Sequence, residues 1–155
     1  MLLLTVMLTG CAAEETFETV ADELVLTRAQ PRQIQVALPE DTVLPVMETE
    51  DGRLYFCREF EVAVQTLAGG DLNATVQALC GFDAAELDLM ETSADGLTRY
   101  DFVWSSAGET GDQVGRACIL SDGIWHYCVA AMAPEEKASQ YREIWNGMFE
   151  SVAVS

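Results

Sequence analysis

The chain has 155 residues, 50% of them apolar, with six Phe, four Tyr and three Trp, which suffices for one hydrophobic core and argues against disorder. Asp and Glu number 26 against eight Lys and Arg, a formal charge of −18. With one lysine, Lys137, and arginines scattered singly from Arg28 to Arg142, no basic cluster can neutralise phosphates, which excludes nucleic acid and electrostatic adhesion to anionic lipid.

Met1 to Gly10 is uncharged and largely apolar, and the chain turns acidic at Glu14-Glu15. Ten residues are too few to span a bilayer, which takes about 20, but they suit the core of a signal peptide. Within them Leu8-Thr9-Gly10-Cys11 resembles the bacterial lipobox. That resemblance implies a diacylglyceryl group on the Cys11 thiol, cleavage before it, and a domain held on the extracytoplasmic side of the cell membrane by lipid. Two acyl chains hold a protein stably, at about 0.8 kcal/mol per buried methylene. No Lys or Arg precedes the apolar run, so the native start is expected upstream of Met1. The expected organisation is a signal peptide over 1–10, a lipidated cysteine and tether or first element over 11–32, and one domain over 33–155.

Glu14 to Thr27 fits either a helical stripe or a strand. Gln33 to Leu38 alternates polar and apolar as a half-buried strand that Pro39-Glu40-Asp41 stops. Asp51-Gly52 reads as a hairpin turn between Val43 to Thr49 and a long strand over Arg53 to Leu67. In that long strand Leu54, Phe56, Phe60, Val62 and Val64 share one face. After Gly69-Gly70, Asp71 is placed to cap a helix running to Cys80 and ended by Gly81, with Leu72, Val76 and Leu79 inward. Phe82 to Thr92 is a short helix or strand, and another strand follows Ala94-Asp95-Gly96, with Tyr100, Phe102 and Trp104 on one face. Ser105 to Asp112 reads as a polar loop. Val114 to Leu120 and Ile124 to Met132 flank the turn Ser121-Asp122-Gly123 as a hairpin. Its second strand is apolar on both faces and should be central. Ala133-Pro134-Glu135-Glu136 opens a last helix, with Ala138, Tyr141, Ile144, Trp145, Met148 and Phe149 as its apolar stripe.

The fold class is therefore α+β, an antiparallel β-sheet with flanking helices. In element order, residues 33 to 153 resemble the PsbP/Mog1-like families: an early strand into Leu38-Pro39-Glu40, a last apolar strand into an Ala-Pro-Glu helix start, then a short Ser151-Val152-Ala153 tail. The resemblance implies a sandwich of sheet and helices and mostly binding or assembly roles, with no catalytic residues to carry over.

Five cysteines are an odd number for an exported protein. Assigning Cys11 to lipid leaves Cys57, Cys80, Cys118 and Cys128, expected as two disulfides, Cys118 with Cys128 and Cys57 with Cys80. The alternative is that Cys118, Cys128 and the single histidine, His126, hold zinc or copper, or that one of these thiols attacks a substrate with His126 as base and Asp101 orienting the ring. No local signature supports the nucleophile. The acidic groups Glu48, Glu50 and Asp51, or Asp71 and Asn73, lack the ligand spacing of a calcium loop and read as a turn and an N-cap. Trp104 and Trp145 fall at core positions, which leaves Trp125 as the tryptophan to contact a ligand. With no cofactor motif, no cofactor is expected. The chain is expected to be a non-enzymatic binding or assembly factor whose partner is an unknown envelope protein or peptide.

Overall fold

The sharpest local signals lie in the second half of the chain, where three long strands in succession build the centre of the sheet. The computed structural model describes residues 29–42, 45–109 and 111–155, so Cys11 and the segment Glu14 to Thr27 lie outside the described residues. Residues Pro31–Ser155 form one compact unit. Its strands are β1 (Ile34–Gln35), β2 (Met47–Glu48), β3 (Gly52–Cys57), β4 (Phe60–Ala68), β5 (Met90–Ala94), β6 (Leu97–Gly108), β7 (Gly111–Ser121), β8 (Trp125–Pro134) and β9 (Ala153–Val154). Its helices are α1 (Leu72–Cys80) and α2 (Glu135–Glu150), with one 3-10 turn at Ala84–Glu86.

Seven strands make one sheet in the order β2-β3-β4-β8-β7-β6-β5, every neighbour antiparallel. The expected α+β class is what the chain adopts. β8 sits in the middle and is buried along most of its length, as an apolar strand covered on both faces should be. β1 and β9 pair with each other and stand outside the main sheet. The alternating segment Gln33 to Leu38 is strand only at Ile34–Gln35, although Ile34, Val36 and Leu38 all pack on the core as their spacing indicates.

The helix termini follow their sequence signals. The Asp71 carboxylate accepts from the Ala74 N–H at 3.0 Å, and Gly81 closes α1 in the left-handed region at φ 81°. Pro134 precedes α2, and Glu135 and Glu136 occupy its first turn, where negative charge is favourable. Tyr141, Trp145, Met148 and Phe149 of α2 are buried against Phe60, Val62, Cys118, Tyr127 and Val129 on one face of the sheet, the α2 face. On the opposite face, the α1 face, Val76 packs with Phe102, Trp104, Ala117, Ile119 and Cys128. At Gly115 a Cβ would lie 2.1 Å from the Trp104 indole, so glycine is what lets that ring lie flat on the strand.

Two further segments depart from the sequence reading. Ser105 to Asp112 is not a loop, because β6 and β7 continue to Gly108 and Gly111, which pair. The strand expected over Arg53 to Leu67 is a hairpin, with Arg58 at φ 61° turning the chain and Cys57 pairing with Phe60. That turn changes the faces. In one continuous strand Leu54 and Phe56 would accompany Phe60, Val62 and Val64. In the hairpin Tyr55 opposes Val62 and Cys57 opposes Phe60, so Leu54 and Phe56 emerge on the α1 face instead.

Candidate functional site

Strand register decides the fate of the cysteine and histidine candidates. Ile119 pairs with Cys128 and Cys118 with Val129, an offset of one residue that sends the two thiols to opposite faces. Cys118 joins the core under α2, whereas Cys128 and His126 face α1. The disulfide between Cys118 and Cys128 does not exist, nor does the one between Cys57 and Cys80. Cys57 lies in the core under α2 and Cys80 on α1, so the sheet separates them, and all four thiols are free. Without those bridges, the cysteine count lends nothing to lipidation at Cys11, which rests on its own sequence context. Burial pushes both Cys118 and Cys128 up to about 12, which leaves them protonated and poor nucleophiles.

The same offset separates Cys118 from His126, and no group of three His, Cys, Asp or Glu among the described residues is arranged to hold a metal ion. His126 is 4% exposed, and its Nδ1 lies 2.7 Å from the Thr75 hydroxyl. That hydroxyl also reaches the Asp71 carbonyl oxygen at 3.3 Å, and whether ring or hydroxyl donates across the 2.7 Å contact follows the ring tautomer. Burial holds the imidazole below its ordinary pKa, against the opposing pull of Asp122 and Asp71. Asp101, the residue suggested for orienting it, lies across the sheet and is paired with Arg99 at 2.6 and 2.9 Å. Arg99 also donates to the Phe149 carbonyl near the end of α2.

The acidic turns are likewise engaged. Glu48 pairs with Arg53 at 2.7 Å, and Asn73 accepts from the Ala84 N–H at 2.7 Å while donating to Asp83 at 3.1 Å. Asp122 organises the turn between β7 and β8, accepting from the Ile124 and Trp125 N–H groups and from the Tyr127 hydroxyl at 2.9 Å. Burial pushes the Asp122 carboxyl up, but those three bonds outweigh it and hold it below the usual range. The Tyr127 hydroxyl in turn accepts from the Arg32 N–H at 3.1 Å, fastening the entering chain to the sheet. Trp104 and Trp145 are buried, as their spacing indicates, and Trp125 is half-buried against the core under α2.

What sequence reasoning missed lies on the α1 face. The helix and the 3-10 turn after it cover the part of that face carried by β6, β7 and most of β8 and reach Leu67 near the end of β4, and the part on β2, β3, the rest of β4 and the Met132 end of β8 stays open. Across the open part run the rows Met47, Leu54, Ala63 and Phe56, Glu61, Met132. Met47 is 59% exposed and Phe56 42%. A groove of about 370 Å³ lies there, lined by Met47, Thr49, Asp51, Leu54, Ala63, Gln65 and Leu67 among others. A second groove of the same size, lined mostly by polar surface, lies between Pro31 to Ile34 and the same hairpin turn. The one signal in the sequence was the charged pair Arg58-Glu59 interrupting an apolar alternation, without the glycine or asparagine that marks most tight turns.

No family model matches the chain, and no curated protein matches it in sequence. Solved structures share its fold. LpqN of Mycobacterium tuberculosis, described as involved in cell envelope biogenesis, is 12% identical with a TM-score of 0.51 over 81% of this chain and 86% of that one. The solution structure of PsbP (CyanoP) from Synechocystis sp. PCC 6803 is 10% identical with a TM-score of 0.50 over 81% and 95%. A Bacteroides thetaiotaomicron protein is 8% identical with a TM-score of 0.52, over 79% of this chain but 45% of its own. At these identities the likeness concerns architecture: a many-stranded antiparallel sheet flanked by helices, resembling PsbP.

Proposed function

We propose that this chain is a non-enzymatic binding or assembly domain, held on the extracytoplasmic side of the cell membrane by lipid on Cys11, and that a partner protein docks on the open part of the α1 face. The observation that carries the reading is that face: an apolar floor with Met47 and Phe56 in solvent, beside sheet of the same face that a helix covers. The lipobox-like Leu8-Thr9-Gly10-Cys11 supports the tether. The shared fold with LpqN supports an envelope role by analogy. The buried, protonated thiols and the occupied imidazole leave these groups without a chemical task.

Two measurements test this. Cells fed an alkyne fatty acid should label the wild-type chain and not Cys11→Ser, and only the former should sediment with membranes. A photo-crosslinking residue at position 56 should capture one envelope protein, whereas the same probe at Val103, exposed on the opposite face, should not. An unlabelled wild-type chain removes the anchor, and equal capture at both positions removes the docking face.

A further inference from the structure

We infer that the open part of the α1 face takes a basic amphipathic helix contributed by a partner protein. The inference rests on the docking reading above and assigns the occupant its chemistry. Width is the first argument. Three strands spaced about 4.8 Å apart give a floor roughly 10 to 14 Å across, and a helix with its side chains is about 10 to 12 Å in diameter. The rest of the same face already seats one helix, α1, through Leu72, Val76 and Leu79. A second helix beside it would complete the layer.

Charge selects the kind of helix. Glu61 stands in the row between Phe56 and Met132, and Asp51 lines the groove. Among the described residues neither forms an ion pair, because the nearby arginines are engaged elsewhere, Arg53 with Glu48 and Arg58 with Asp41. The whole chain carries −18. An occupant that covers this floor therefore meets unneutralised carboxylates and is favoured if it brings Lys or Arg at its flanks. The same sign disfavours a second copy of the chain and an anionic bilayer. Exposed methionine and phenylalanine beside half-buried Leu54 and Leu67 supply the apolar anchors such a helix would bury.

The test is direct binding of the full chain to a fluorescein-labelled 18-residue helical peptide, Leu on one face and Lys on the other, followed by anisotropy. A counterpart with every Lys replaced by Glu is the control. The Lys peptide should bind and the Glu peptide should not. Phe56→Ser and Met47→Ser should each weaken binding about tenfold, as loss of an interface anchor does, and Glu61→Gln severalfold. Val103→Ser on the other face should leave it within about twofold. Met47 is more than half exposed, so its variant carries the test if Phe56→Ser does not fold. Equal binding of the two peptides, or binding indifferent to Met47→Ser, overturns the inference. A dimer of the wild-type chain that Phe56→Ser disperses also overturns it, assigning the face to a second copy. If the peptide fails while the crosslink at position 56 persists, the helical occupant is wrong and the docking face stands. If both fail, the docking reading falls with it.

Discussion

His126 gives the fold a specific acid sensitivity. Its ring is 4% exposed, bonded to Thr75 and held by burial below the ordinary imidazole pKa of 6.5. Above pH 6.5 the imidazole is neutral in both folded and unfolded chains and contributes nothing to the pH dependence. Below it, the unfolded chain binds a proton that the folded chain refuses, so stability falls as pH falls, by up to about 1.4 kcal/mol per pH unit for one proton. An imidazole that never protonated in the fold would have lost about 2 kcal/mol by pH 5, which is the ceiling on the effect. Urea unfolding followed by tryptophan fluorescence, in wild type and His126→Gln between pH 7.5 and 5, measures it. The carboxylates titrate in both proteins, so the difference between the two curves isolates the ring. Wild type should be the more stable by about 1 to 2 kcal/mol at pH 7.5, where the variant has lost ring packing and hydrogen-bond geometry, and its advantage should shrink steadily below pH 6.5. An advantage that stays constant to pH 5, or grows, refutes the assignment of a buried neutral ring.

Four further outcomes follow from the packing. Gly115→Ala should cost about 1 to 3 kcal/mol, since the added methyl meets the Trp104 indole. Gly147→Ala, with open space around it inside α2, should instead stabilise by about 0.5 to 1 kcal/mol. Both are read as shifts in urea midpoint. Tyr127→Phe should cost about 1 to 3 kcal/mol in the same assay, because the Arg32 N–H loses its acceptor and Asp122 a donor. In a Cys11→Ser chain without reductant, a thiol reagent should count four thiols in urea and no more than one, the half-buried Cys80, in the native state at pH 8. Fewer than four in urea would reinstate a disulfide.

Much of this architecture was legible in the sequence because local chemistry fixes it. The Asp71 cap, the Gly81 stop, the Asp122-Gly123 turn and the α2 stripe each need only a few neighbouring residues to declare themselves. What stayed hidden depends on pairing. Whether Cys118 and Cys128 meet turns on a single residue of register, which their distance along the chain does not reveal. Ser105, Ser106 and Asp112 read as a loop because they are polar, yet the ends of β6 and β7 reach solvent, where polar residues suit a strand. The candidate site was invisible for a related reason. Arg58 adopts a left-handed turn without being glycine, and only that turn moves Leu54 and Phe56 away from the core face their alternation suggests.

The pairing of Gln33 with Ser155 has a topological consequence. The two residues exchange both backbone hydrogen bonds at 3.1 Å, so the folded domain is entered and left at one point and is closed like a ring. A short linker joining Ser155 to Gln33 would bridge a gap of only about 5.5 Å between Cα atoms. New ends could then be opened at the exposed Asp95-Gly96 turn without cutting either core. Such a circular permutant should keep the fold while placing its chain ends at a different corner, which separates what the sheet does from where the chain enters it.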